Sequence, residues 1–434
     1  MQDRAVVTKY IRAGETDRQR VGLELEHFVL NEMDEGIEFD VLSDLIRRIA
    51  EKLGAELVYA EGHVVGYDAG DHTISVEPAC QLEVSIAPFE SLAKVEEIYQ
   101  GFRSVWDPVL GSIGYTLVTR GLHPGVEAGR IHPTELPLIP KNRYYFMDRY
   151  FRTSGRYGSY MMRASASTQI SLDYASEEDM VRKLRLLTIL SPVLMQLMEN
   201  KSYPDSRVAE RKGKHLLRTQ IWEDLDPDRT GFFPGAFQGK FGYDAYADLL
   251  LSRPLVVLTD AGETTWAGEK KLPEILRLSE LSEEPERQKA VVEHLLSMFF
   301  HHIRLKRYLE VRVADSVPIR KALGYAALLK GLFYYEENLK QLEKLLSGHL
   351  IDVEEAVFRT EIQGEEAVIY AGKRVRAWIK DMIRLAETVL PEDEKVYLKE
   401  LQAGDGKEPK GGARKALPDG RKEVLTELKE RSVG

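Results

Sequence analysis

Residues 74–88 read ISVEPACQLEVSIAP, and the alternation that starts at Gln81 decides how the surrounding chain folds. Gln81, Glu83 and Ser85 share one face of an extended segment, while Leu82, Val84 and Ile86 share the other. A period of two with one apolar face is the pattern of a half-buried strand. Glu83 then needs an explanation, because burying an unpaired carboxylate is expensive. It is a solvent-facing decoration, one half of an ion pair, or a ligand.

The same one-sided face recurs along the chain. In VGLELEHF (21–28), Val21, Leu23 and Leu25 oppose Glu24 and Glu26. In SASTQISLDY (165–174), Thr168, Ile170 and Leu172 oppose Ser167, Gln169, Ser171 and Asp173. In YLEVRVAD (308–315), Leu309, Val311 and Val313 oppose Glu310 and Arg312. One wet face is ordinary for a single antiparallel strand. Several acidic faces brought together repel one another and need positive charge to offset them. Mg²⁺ suits that task, since it takes oxygen ligands and shares its shell with substrate phosphates. Alternation alone does not make the four strands neighbours, so solvated faces and a Mg–nucleotide face both stand at this point.

Helical periodicity covers Phe39 to Lys52, Glu177 to Asn200 (with Ser176 and Asp179 as a capping box and Pro192 expected to kink or divide it), Glu284 to Ile303, and two or three helices within 319–390. Turn-rich loops occupy 123–140, 226–239 and 403–420. No βαβ phosphate fingerprint occurs, so the expectation is α+β: a curved antiparallel sheet with an acidic active-site face and helices packed on the other face. One catalytic domain is expected over 1–400, helical in 319–400, followed by a flexible Gly/Lys/Pro-rich tail over 401–434 with a short terminal helix.

Composition bounds the function. The 434 residues are 43% apolar and 30% charged, with a formal charge of −10, which argues against a general nucleic-acid binder. No apolar run approaches the length of a membrane span. The single cysteine, Cys80, forbids an intrachain disulfide and fits a reducing compartment. With a polar, charged N-terminal stretch, the expectation is a cytoplasmic protein, monomer or homodimer. GAFQGK (235–240) lacks P-loop spacing, and no H-E-x-x-H occurs. His294, His301 and His302 read as structural. Glu24 and Glu26 as a glycosidase pair lack any supporting sugar-site feature. Acids beside Cys80 would raise its pKa rather than activate it.

Taken in order, VGLELEHF, ISVEPACQLEVSIAP, STQISLDY, WEDLDPDRTG and LKRYLEVRVAD resemble the plant-type glutamate–cysteine ligases of the carboxylate–amine ligase superfamily, over about residues 15–320. The resemblance implies a glutamine-synthetase-like fold, ATP and Mg²⁺ as cofactors, and small-molecule substrates. The implied reaction phosphorylates the side-chain carboxylate of glutamate, and the amine of cysteine then displaces phosphate. Carried over by motif, Glu24 and Glu26 (G-x-E-x-E), Glu77 and Glu83 (E-P-x-x-Q-x-E), Gln169 and Glu310 (L-E-x-R) are implied metal ligands. Arg312 is implied at phosphate, with Gln169 and Arg229 beside the nucleotide. Arg218 is the implied clamp on the glutamate α-carboxylate, and Arg163 a second substrate contact. Ala79, Cys80 and Val313 stand where the family has glycines. The alternatives are the same chemistry on another amine or carboxylate, a non-catalytic nucleotide-binding paralogue, and a metal-dependent hydrolase. Deleting residues 403–434 is expected to leave the cooperative thermal unfolding transition in place, as circular dichroism would show.

Overall fold

Strand β1 (Val21–Leu30) is the spine of the molecule. It is flanked in one nine-stranded sheet by β2 (Glu56–Ala60), β3 (His63–Asp68), β4 (His72–Val76), β5 (Leu82–Phe89), β6 (Thr116–Val118), β7 (Ser167–Leu172), β10 (Ile303–Leu305) and β11 (Leu309–Asp315). The order is β10-β11-β7-β1-β5-β4-β3-β2, with β6 paired to β1, and every pairing is antiparallel. A separate hairpin joins β8 (Pro254–Asp260) to β9 (Glu263–Lys271). These positions come from a computed structural model that describes residues 1–202, 208, 214–233, 235–346 and 353–402.

The four strands with one polar face are thus consecutive neighbours, β11-β7-β1-β5, which alternation alone could not establish. Their apolar residues Leu23, Leu25, Val84, Ile170, Leu172, Leu309 and Val311 are all buried. Helices Phe39–Leu53, Leu92–Ser112, Glu177–Leu197 and Ile319–Phe333 pack against the sheet. The α+β expectation holds, with its antiparallel sheet and packed helices. Among the described residues, no helix is long and apolar enough to cross a membrane.

Several local expectations shift. The helix Glu177–Leu197 is capped as expected, with the Ser176 hydroxyl accepting from the Asp179 N–H, but it runs through Pro192 undivided. The helix expected to reach Ile303 stops at Ser297, and Ile303 instead opens β10. Packing decides this: Ile303, Arg304 and Leu305 are all buried and pair with β11. In place of two or three helices within 319–390, the described residues form four α-helices, Ile319–Phe333, Glu336–Leu346, Val353–Gln363 and Val375–Glu387. The expected loop 403–420 and tail lie outside the described residues.

Of the three positions where the resemblance implies glycine, Val313 and Cys80 differ physically. Val313 sits in a β-bulge, where the β11–β7 register shifts between Val311 and Ala314, and its φ is not positive. A side chain there costs no left-handed strain. Cys80 has φ 62°, the left-handed region where a Cβ is disfavoured by about 1 kcal/mol. The turn nevertheless closes, with Cys80 N–H donating to Glu77 O (3.1 Å) and Ala79 N–H to Gln81 Oε1 (2.9 Å). The thiol packs into the core at 5% exposure, and burial, aided by Asp40, pushes it up to about 12. The inert reading of Cys80 fits this setting. Cys80→Gly is expected to change unfolding free energy by less than about 1.5 kcal/mol, because relief of the strained φ offsets lost burial. Equilibrium urea unfolding checks it, and a larger loss would show that side-chain packing dominates.

Candidate active site

The polar face of β11-β7-β1-β5 forms the floor of a cavity of about 410 Å³. Register fixes what meets what. Glu26 lies directly opposite Glu83, and Glu24 lies between Gln169 and Ser85. Glu77, from the turn before β5, joins them at the wall. The cavity therefore collects four carboxylates at neighbouring positions in a site largely shielded from water.

The electrostatics record the strain. Burial raises Glu83 well above the usual carboxylate range, with Glu24, Glu77 and Glu26 adding repulsion. Burial and Glu26 push Glu77 up to about 7, and Glu24 and Glu26 are also raised by burial. Hydrogen bonds offset this only in part. Glu26 accepts from Ser167 N–H and Oγ, both at 2.8 Å, and Glu83 accepts from the hydroxyls of Ser75 (3.1 Å) and Ser85 (3.2 Å). Among the described residues, the carboxylates of Glu24 and Glu77 have no hydrogen-bond or ion-pair partner. Their oxygens are open to a cation. The donor set is all carboxylate and amide oxygen, which suits a hard ion rather than zinc or copper. Among the described residues, no three acids close a ready-made cage around one ion. Mg²⁺ does not need one, since it usually keeps several waters and takes one or two carboxylates plus phosphate oxygens.

Glu310 is different. It is fully buried and does not line the cavity. Its carboxylate accepts from Arg304 Nε (2.5 Å) and Nη2 (2.9 Å), Lys306 Nζ (2.8 Å) and Arg312 Nη1 (2.9 Å). Burial alone opposes its ionisation, yet Arg304, Lys306 and Arg312 hold it well below the usual range. Gln169 is similarly engaged: its Oε1 accepts from Arg312, and its Nε2 donates to Glu26 (3.3 Å). As they stand, both hold Arg312 against the sheet with oxygens already in use, so the metal-ligand expectation does not describe their present bonding.

The arginines divide the same way. Arg312 and Arg218 line the cavity. Arg218 comes from the short helix Leu217–Glu223, donates through Nη1 to Arg312 O (3.1 Å) and stacks over Trp222 at 5.6 Å. Its Nε is buried without a hydrogen-bond partner among the described residues. Arg163 and Arg229 do not line the cavity, which corrects their expected ligand contacts. Arg163 is held bidentate by Asp148 (3.1 and 2.8 Å). Arg229, fully buried, pairs with Asp226 at 2.8 Å between Tyr150 and Phe299. The Arg163 guanidinium is consumed by the fold, whereas Arg229, though ion-paired, keeps Nη1 buried without a hydrogen-bond partner among the described residues.

The cavity also contains cations that pattern reading missed. Lys141 and Arg143, at the start of the helix Asn142–Ser154, line it from above, with Arg143 donating to Ser297 O (3.2 Å) and Oγ (2.9 Å). Burial lowers the pKa of both, while Glu77 favours their charged forms. Their only signal in sequence is K-N-R directly after the proline-rich loop, which carries no period. Met147, Met161, Met162, Trp222 and Phe300 complete an apolar wall. His294 is structural as expected, its Nε2 bonded to Val257 O (2.8 Å) and its pKa lowered by burial to about 4.

A family model and curated relatives point to one family. The sequence profile of glutamate–cysteine ligase family 2 (GCS2) matches residues 20–406. Glutamate–cysteine ligase B, chloroplastic, of Oryza sativa subsp. japonica is 30% identical over 336 residues, 76% of this chain and 65% of that protein. The chloroplastic Arabidopsis thaliana glutamate–cysteine ligase is 30% identical over 335 residues, 75% and 61% respectively. The chain thus spans slightly under two thirds of the length of these relatives. A crystal structure of a Francisella tularensis glutamate–cysteine ligase in complex with AMP aligns with TM-score 0.48 and 13% identity, over 89% of this chain and 82% of that one. The plant relatives are named chloroplastic, which overturns the expectation of a cytoplasmic protein. A lone cysteine separates reducing from oxidising surroundings, and it does not separate cytosol from plastid.

Glutamate-to-glutamine changes should separate the two kinds of acid by the sign of their effect on stability. Raised carboxyls bind protons in the folded state that the unfolded chain has already released. Their contribution to stability is therefore present below an ordinary glutamate's 4.5 and is lost as pH rises through the folded value, about 7 for Glu77. In chelator, Glu83→Gln should raise the unfolding free energy at pH 7.5, with the gain shrinking toward pH 5. Glu310→Gln should cost about 3–5 kcal/mol by stranding Arg304 and Arg312. Urea titrations at the two pH values measure both.

Proposed function

The chain belongs to glutamate–cysteine ligase family 2, and on that premise we propose that it joins the γ-carboxylate of glutamate to the amine of cysteine at the expense of ATP. The observation that carries the reading is the set of unpartnered carboxylates, Glu24 and Glu77, beside Glu26 and Glu83 in a cavity whose other walls supply Arg218, Arg312, Lys141 and Arg143. Phosphoryl transfer is mainly positioning and charge neutralisation, and this cavity offers both. Mg²⁺, when bound, would neutralise the nucleotide phosphates.

In this reading Glu24, Glu26, Glu77 and Glu83 hold the metal. Glu310 and Gln169 serve the site by aiming Arg312 at phosphate, and they reach metal only by giving up that arginine. Arg218, with one nitrogen unpaired over Trp222, grips the glutamate α-carboxylate, for which a planar guanidinium is better suited than an ammonium. The γ-carboxylate attacks the terminal phosphorus of ATP, giving an acyl phosphate and ADP. The acceptor amine then attacks the acyl carbon, and phosphate leaves with the amine's proton. Met147, Met161, Met162 and Phe300 make a soft, polarisable wall that favours a thiol side chain on the acceptor. Lys141 and Arg143 cover the acids from above, and both offset the charge of the incoming groups.

Purified protein with Mg²⁺, ATP and glutamate, screened against amino acids as acceptor, tests the reading by ADP release. Cysteine is expected to give the highest rate. No ADP with any acceptor would sink the ligase reading, and ADP with another amine alone would reassign the acceptor. Glu83→Ala should lower kcat by at least about 100-fold, and Arg218→Lys should raise the KM for glutamate about tenfold or more with a smaller effect on ATP.

A further inference from the structure

A second cavity, of about 960 Å³, opens beside the first. Its walls come from the segment Ala13–Arg20, the β3–β4 turn and the helix Pro285–Ser297. The smaller chamber suits amino acids, and the larger has room for a nucleoside triphosphate. The residues lining both chambers are Glu24, Ser297 and Lys306. A phosphoryl group moving from a nucleotide in one to a carboxylate in the other passes between these three. Ser297 is engaged, its hydroxyl donating to His294 O (2.7 Å) and accepting from Arg143. Glu24 is anionic. Lys306 is the cation at the junction.

From this geometry we propose that Lys306 is a catalytic residue of the proposed ligase, its ammonium contacting the phosphoryl group in transit. Glu310 receives four N–H donors from three cations, Arg304, Lys306 and Arg312, so positive charge exceeds what that carboxylate neutralises. Arg304 is further fixed by Phe299 O (3.0 Å), and Arg312 by Gln169. Their side chains are 8% and 12% exposed, against 22% for Lys306. The ammonium has three donors. One meets Glu310 and one Tyr308 Oη (3.3 Å), leaving a third for the junction. The backbone holds it there: Lys306 N–H donates to Tyr308 O (2.8 Å) in the turn between β10 and β11.

The step balances without the lysine changing its protonation. A carboxylate oxygen forms a bond to the terminal phosphorus, the bond from that phosphorus to the bridging oxygen breaks, and the electron pair leaves with ADP. Lys306 stays charged and offsets negative charge building on the phosphoryl oxygens, as preorganised donors do.

Two variants and two measurements decide the matter: glutamate-dependent ADP formation, and the Kd for ADP by calorimetry, which needs no turnover. Lys306→Met should lower kcat at least about 100-fold with the ADP Kd within about threefold, since the charge acts on the transferring group rather than on the bound product. Lys306→Arg should recover at least about tenfold of the loss. A Lys306→Met kcat within about threefold of wild type overturns the proposal, and so does a kcat loss matched by ADP affinity. If Lys306→Met does not fold, Lys306→Gln takes its place with the same two readouts: kcat at least about 100-fold down with the ADP Kd within about threefold supports the proposal, and kcat within about threefold of wild type overturns it. Wild type without ADP formation would instead overturn the ligase reading, and this proposal with it.

Discussion

Glu26 facing Glu83 across paired strands is the constraint on which the rest of the structure depends. Two like carboxylates at adjacent positions of a sheet repel, and a shielded cavity strengthens that repulsion. Among the described residues, the fold offers hydroxyls to these two and no hydrogen bond to the carboxylates of Glu24 and Glu77. Such a face is tolerated only if protonated or if a cation completes it. A chain selected only for stability would place apolar residues or matched pairs there. The retained repulsion is stability given up for a binding capacity.

The surrounding charges fall into two layers with different tasks. Glu310, Arg304 and Lys306 form a dense ion-pair layer around the buried Glu310 carboxylate, from which Arg304 and Lys306 reach the cavity wall. Arg312 bridges the layers, bonded below to Glu310 and laterally to Gln169. The upper layer, Glu24, Glu26, Glu77 and Glu83, is under-satisfied by comparison. Rigid support beneath and unfilled valence above is the arrangement a preorganised site requires.

Much of this was legible in the chain, and what was hidden has physical reasons. Period-two alternation identified β1, β5, β7 and β11 and the face each acid occupies, because one buried side fixes the side-chain direction. Strand adjacency was hidden, since pairing is a long-range property. Arg163 and Arg229 were misjudged because an arginine beside a motif looks the same whether it meets a ligand or a buried aspartate such as Asp148 or Asp226. Lys141 and Arg143 were missed for the opposite reason: they enter the site from a helix N-terminus after an irregular loop, where no period marks direction. Ile303 was assigned to a helix because a short apolar run fits either period, and only pairing with Val311 resolves it.

Cys80 closes the tight turn between Glu77 and Gln81 with its thiol facing the core. It is the chain's one sulfhydryl, which makes it an internal clock for opening of that turn. A thiol reagent can react only when the segment beneath the acidic face comes apart, so the rate of modification reports the local breathing of the site itself. On the proposed ligase reading, a thiol substrate would meet no free protein thiol while the turn is closed, and the protein would not be drawn into mixed disulfides with it.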